Sequence, residues 1–148
     1  MMSTSKLGLR QDHRGQAAVE ALLVLMILVL AIFGGIELSR GVAIRQALDS
    51  STGIAARALS LDPSQWDYAK SVIQEETNQN VMGGEAATTL QVFDAAGTQR
   101  SSAWLSGSSF GTTFILEASA PFQADIPFLS ESLLIIQVQH WGIVERYP

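Results

Sequence analysis

Hydrophobic and polar positions follow three different rhythms along this chain. From Ala17 to Ile36 almost every position is apolar, and between Ala21 and Phe33 there is no polar residue at all. A run of about 20 apolar residues, rising 1.5 Å each, is long enough to cross the hydrocarbon core of a bilayer as a helix. Beyond Ile36 the pattern turns amphipathic: Ile44, Leu48, Ala55 and Leu59 continue an apolar stripe, while Leu38, Val42, Arg45 and Asp49 fall on another set of spacings. No proline occurs before Pro63. One helix is therefore predicted from Arg14 or Gly15 to about Leu59, and only its first half fits in lipid.

Asp62-Pro63 punctuates the pattern, with Asp62 suited to an N-cap and Pro63 to a first helical turn. A second helix is predicted over Ser64–Asn80, with Trp66, Ala69, Val72, Ile73 and Val81 facing inward and Gly83-Gly84 stopping it. The period then becomes two. Thr88–Phe93 reads as a strand, Ala95-Ala96-Gly97 as a hairpin turn, and Gln99–Leu105 as a weak partner strand. Phe110–Ala120 alternates more clearly, with Phe114, Leu116, Ala118 and Ala120 on one face. Pro121–Ser132 reads as an irregular connection, and Leu133–Val144 as a further strand with Leu134, Ile136 and Val138 on one side.

These elements define an α+β chain: a long N-terminal transmembrane helix, then a small domain with one helix and a three- or four-stranded antiparallel sheet. Such a sheet needs one face covered, and either the second helix or the distal half of the long one can cover it. The expected division is a basic leader over 1–15, a long helix over 16–60 (spanning at 17–36, projecting at 37–60), and an extracytoplasmic α+β domain over 61–148.

Charge sharpens this division. Lys6, Arg10 and Arg14 face only Asp12 within residues 1–15, whereas the remainder holds six basic and thirteen acidic residues. Basic flanks stay on the cytoplasmic side, so the three cations are topology determinants that place the acidic domain outside. No basic patch exists to neutralise phosphates, which argues against a nucleic-acid partner. With no cysteine, disulfides and thiol catalysis are excluded. The two histidines, His13 and His140, stand far apart and form no metal-binding cluster. Gly83-Gly84 and Gly107 lack the strand-to-helix setting of a phosphate loop, and the acids Asp94, Glu117, Asp125 and Glu131 are scattered. No catalytic residue, metal or cofactor is expected. Trp66, Trp104 and Trp141 read as core or membrane-proximal residues.

The candidate chemistry lies at the head of the apolar run. A carboxylate within such a run costs about 2.5–3.5 kcal/mol at the membrane centre and less towards an edge, so Glu20 requires a partner or an interfacial position. Gly15, next to Arg14, leaves the backbone open to a protease at the headgroups. If the bond after Gly15 is cut, Gln16 becomes the first residue and its new amine lies one helical turn from Glu20. The amine and carboxylate can then pair within one chain or between subunits. The plainer alternatives are a carboxylate that merely snorkels and a glycine that merely loosens the helix start. Ala31 and Gly35 form a small-x3-small pair suited to close helix packing, although small residues are common in membrane helices. Gly34-Gly35 offers a bending point, and Glu37 with Arg40 an i,i+3 ion pair worth a few tenths of a kcal/mol.

Arg14-Gly15-Gln16-Ala17-Ala18-Val19-Glu20, the Leu-rich run and Gly35-Ile36-Glu37-Leu38-Ser39-Arg40 together resemble the TadE-like proteins of the tight-adherence pilus machinery, minor pilins or pseudopilins related to type IVb pilins. The resemblance is firm over about residues 14–59 and weaker beyond. It implies cleavage after Gly15 by an aspartic prepilin peptidase of the inner membrane, with Glu20 as the family's glutamate. It also implies assembly with other pilins and an inner-membrane platform. In the fibre-forming pilins of this system a tyrosine follows the glutamate and the chain is much shorter. Here Ala21 follows and a domain is attached, which favours a minor pilin. The competing reading is a signal-anchored single-pass protein whose outer domain binds a peptide or polysaccharide. A secreted protein with a cleaved signal peptide fits less well, because no Ala-x-Ala site follows the run.

Overall fold

The computed structural model describes residues 13–80, 87–128 and 132–145. Helix α1 runs unbroken from His13 to Leu61, straight through Gly34 and Gly35. Its end is set by local chemistry. The Asp62 side chain accepts hydrogen bonds from the Ser64 backbone N–H (3.1 Å) and hydroxyl (2.6 Å), turning the chain at Pro63. Helix α2 (Trp66–Asn80) starts two residues later than the sequence suggests. Asp62 caps that turn, and the Gln65 carbonyl accepts the helical bond from Ala69. On α2, Ala69 and Ile73 are buried as expected, Trp66 packs partly against the core, and Thr77 is also buried, with its hydroxyl donating to the Ile73 carbonyl. Val81 and Gly83-Gly84 lie outside the described residues, as do Lys6 and Arg10; of Arg14 only the backbone is described.

The sheet contains β1 (Thr89–Asp94), β2 (Gln99–Arg100), β3 (Thr113–Ala124) and β4 (Ser132–Ile143), all antiparallel, in the order β2-β1-β3-β4. The β1–β2 turn falls at the predicted place. Gly97 takes a φ of 79°, and the Asp94 carboxylate accepts from the N–H groups of Ala96 and Thr98 at 3.0 and 2.9 Å. Two expectations are corrected. The weak partner strand stops at Arg100, because Ser101 caps a short helix, α3 (Ser102–Ser106), by accepting from the Trp104 N–H. That turn buries Leu105 completely. The connection expected from Pro121 is instead strand as far as Ala124, with Pro121 opposite Ile135. Pairing with β1 ends at Ser119, so Pro121, which lacks an N–H, sits where β3 has only one described neighbour. Prolines are tolerated at such edges.

The distal half of α1 covers the sheet along β3 and β4, and α2 packs on α1. Ile44, Leu48, Ala55 and Leu59 from the helix meet Phe114, Leu116, Ala118 and Ala120 from β3, all at 2% exposure or less. Both predicted faces are therefore the core faces. On β4, Val138 is buried and Ile136 partly so, but Leu134 is exposed. Trp66 and Trp104 border the core, whereas Trp141 is 64% exposed on the outer side of β4, against the expectation of a core or membrane-proximal place. Trp141 follows His140, which packs against Gly53, and Gly53 lies about 25 Å of helix beyond Ile36.

Candidate processing and assembly segment

Gly15, Gln16 and Glu20 all lie on the exposed first turns of α1. Nothing approaches within 4 Å of the position a β-carbon would take at Gly15. The Gly15–Gln16 bond is in helical backbone, where helix ends fray readily because the first N–H groups have no intrahelical acceptor. Gln16 and Glu20 stand at i and i+4, neighbours on one face. Among the described residues Glu20 makes no hydrogen bond or ion pair. The apolar run thus begins with an exposed carboxylate that no described residue pairs.

The shaft beyond it is apolar and uncovered. Leu22, Leu23, Val24, Ile27 and Leu28 are all more than half exposed. The helix from Gly15 to Leu61 carries an 18-residue stretch of mean hydropathy 2.7, none of it buried by the protein. In water such a surface would drive aggregation, and a bilayer satisfies it. By length and composition this helix is consistent with a single membrane anchor.

On one side of the shaft, Ala31 and Gly35 belong to a longer register of small residues. Ser39 and Ala43 continue it at four-residue steps, and together they line a shallow groove of about 690 Å³. The Ser39 hydroxyl donates to the Gly35 carbonyl at 2.8 Å, so its polarity is turned into the helix. Sequence reading found only the first pair; the i+4 recurrence through Ser39 and Ala43 is the signal that extends it.

Where the shaft meets the domain, Glu37 and Arg40 form more than a surface pair. Arg40 Nη1 donates to both carboxylate oxygens, at 2.8 and 2.9 Å, and Glu37 is only 7% exposed. The guanidinium carbon lies 5.9 Å from the centre of the Phe122 ring. Phe122 in turn covers Gly41, where an added β-carbon would stand 3.5 Å from the ring. This pair is partly desolvated and clasped by the sheet, so truncating one partner leaves a poorly solvated charge.

Farther out, two contacts tie α1 to β4 and the segment after it. His140 Nε2 and Asp49 Oδ1 are 3.0 Å apart, and Arg57 donates to Glu145 at 2.8 Å. Among the described residues no group of three or more His, Cys, Asp or Glu side chains is placed to hold a metal ion.

A membrane-anchoring helix carrying a small α+β domain is the class of protein that these features define. Residues 15–57 match the model of a family described as TadE-like protein. The match supports assignment to the pilin and pseudopilin group, and it begins at Gly15 and includes Glu20, Ala31, Gly35, Glu37 and Arg40. No curated protein and no solved structure matches the chain.

Proposed function

We propose that this chain is a TadE-like minor pilin or pseudopilin, a structural component in the assembly of a tight-adherence pilus at the bacterial inner membrane. The observation that carries the reading is the coincidence of the matched segment with an exposed Gly15 and an exposed Glu20, unpaired among the described residues, at the head of an uncovered apolar helix. In this reading residues 1–15 are a leader that an aspartic prepilin peptidase removes between Gly15 and Gln16. The positive charges of Lys6, Arg10 and Arg14 hold that leader in the cytoplasm, residues 17–36 cross the bilayer, and the acidic domain lies on the far side. The Glu20 carboxylate then pairs with a freed Gln16 amine, on a neighbouring subunit of the stack or within its own chain. The face of Ala31 and Gly35 lets another pilin helix approach closely. Partners are other pilins of the system and the inner-membrane assembly platform, and the role is structural rather than catalytic.

The test is genetic and biochemical together. Deleting the gene should abolish or sharply reduce surface pili, wild-type protein should restore them, and the tagged chain should co-extract with other pilus subunits in mild detergent. Normal piliation in the deletion strain, with no pilus subunit recovered on the tagged chain, would contradict the assignment and favour an anchored binding protein.

A further inference from the structure

Strand β4 is an edge of the sheet, and its backbone groups on the far side from β3 are unpaired among the described residues. Val144, which continues β4, donates its N–H to the Thr112 carbonyl at 2.9 Å and accepts from the Gly111 N–H at 2.8 Å. Its backbone groups are thus turned towards β3. In an antiparallel ladder this direction alternates from residue to residue. The even-numbered residues of β4 therefore bond to β3, and the N–H and C=O groups of Ile135, Gln137, Gln139, Trp141 and Ile143 point to the open side. Exposed edges are ordinarily blunted by shortness, charge or proline. The opposite edge strand, β2, is only 2 residues long. Strand β4 is 12 residues long and holds no Asp, Glu, Lys, Arg or Pro.

Helix α1 and this edge enclose open space. A groove of about 710 Å³ runs between them, lined by Val42, Arg45 and Asp49 of the helix and by Gln137, Val138 and Gln139 of the strand. It lies where the inward side chains of a fifth strand would fall. A second groove, of about 490 Å³, follows at His140 to Ile143, beside Gly53 and Arg57. On the outer face Ile135, Trp141 and Ile143 are all more than half exposed. Of the charges along the seam, Asp49 faces His140 and Arg57 faces Glu145. Arg45 is exposed and makes no hydrogen bond or ion pair among the described residues.

We infer that the β4 edge receives an extended segment of another protein, which joins the sheet as a fifth, antiparallel strand. Its main-chain hydrogen bonds supply affinity, and its alternate side chains supply specificity. Residues directly opposite each other in such a pair share a face. A residue opposite Val138 points into the groove beside Arg45, where a carboxylate gains a charge-assisted hydrogen bond. Residues opposite Trp141 and Ile143 lie on the outer face against apolar side chains and are apolar themselves. Along the incoming strand the order is apolar, any, apolar, any, any, acidic. A second copy of β4 does not fit. Helix α1 and β4 run the same way, since Gly41 lies beside Phe122, the partner of Leu134, and Gly53 beside His140. Antiparallel self-pairing would bring in the second α1 reversed, and two such anchors cannot enter one membrane from one side. The choice of a different protein thus rests on α1 being the anchor, whereas the strand addition itself does not.

Random phage-displayed peptides of about ten residues, the length of a long strand, are selected against the full-length chain in mild detergent. The enriched peptide is then synthesised with glutamate or glutamine at the acidic position. Enriched sequences should follow the order above, and the bound peptide should slow hydrogen exchange at the Gln137, Gln139 and Trp141 amides. Gln137→Pro removes one open-side N–H that β3 does not use, a position an edge strand tolerates. It should abolish binding with little change in the thermal midpoint. Arg45→Gln lies on the exposed side of α1 and leaves the sheet untouched, so it keeps the test intact should the proline variant misfold. It should weaken the glutamate peptide by about three- to tenfold, as loss of an exposed charge-assisted bond does, and leave the glutamine peptide unchanged. No enrichment, or peptides that bind without slowing exchange at those amides, would overturn the inference. So would equal affinity of the glutamate peptide for wild type and Arg45→Gln. Protection of the same amides that grows with protein concentration in the absence of peptide would mean that a second copy fills the edge, and would overturn it too. None of these outcomes bears on processing at Gly15 or on membrane anchoring.

Discussion

Gly142 lies against the ring of Phe114: a β-carbon at this position would stand 2.7 Å from Phe114 Cε1 and closer still to Cζ. Phe114 is fully buried and sits directly across the β3–β4 ladder from Gly142. The glycine supplies the space the ring occupies, so here the small residue is a packing requirement and not a turn. Gly142→Ala is expected to force the ring out of place and to destabilise the domain by about 1–3 kcal/mol, the usual cost of overpacking a well-filled core. Thermal unfolding of the full chain in detergent, followed by tryptophan fluorescence, should show a lowered midpoint. The corresponding Gly107→Ala change meets only ordinary contacts and should move the midpoint far less.

The β1–β2 turn should be acid-sensitive. The Thr98 N–H, then the Arg100 guanidinium, hold the Asp94 carboxyl below its ordinary value. A carboxyl depressed in the folded state adds stability above its unfolded pKa, near 4, and loses it as pH falls through the folded value. Unfolding midpoints from pH 7 down to 3 should therefore fall less steeply in Asp94→Asn than in wild type, with the difference confined to pH below about 5. Parallel curves at all pH values would show that Asp94 is not a titrating contributor.

Orientation has its own test. With Lys6, Arg10 and Arg14 keeping the N-terminus inside, a phosphatase fused after Pro148 should be active in cells. Changing all three cations to glutamine should reduce that activity by weakening the charge bias. An inactive fusion that is well expressed would contradict the orientation.

Much of this architecture is legible in the sequence because the physics behind it is periodic. The apolar run, the stripe through Ile44, Leu48, Ala55 and Leu59, and the alternation from Phe114 to Ala120 each have one dominant period, and each turned out to be a helix or strand face. Failures occur where one local interaction outweighs the pattern. Ser101 ends β2 by capping α3, and Pro121 stays in a strand because no β1 residue pairs there. The pattern of the candidate processing segment stands in the sequence for a different reason: a glycine, a carboxylate five residues on and an apolar run are all local, and cleavage there is a proposal. The Glu37–Arg40–Phe122 clasp was only half visible, since the ion pair is local but Phe122 arrives from a strand eighty residues away. That Phe122 meets Gly41 and His140 meets Gly53 could not be read at all, because it depends on the register between helix and sheet.

Glu20→Ala separates insertion from assembly. The substitution makes the helix more apolar, so membrane extraction behaviour should be unchanged or firmer. Recovery of other pilus subunits with the variant should fall by most of its wild-type value, and surface pili with it, because the freed amine of a neighbour loses its counter-charge. Normal recovery and normal piliation would reduce Glu20 to an interfacial bystander.

Processing at Gly15 joins the family match, the leader and the role of Glu20, and the N-terminus of the membrane-extracted protein tests it most directly. In cells that carry the prepilin peptidase, N-terminal sequencing and intact mass should show a chain beginning at Gln16, shortened by residues 1–15. A Gly15→Leu variant should remain full length. A wild-type chain found only with Met1 or Met2 at its N-terminus, in cells with active peptidase, would contradict the account.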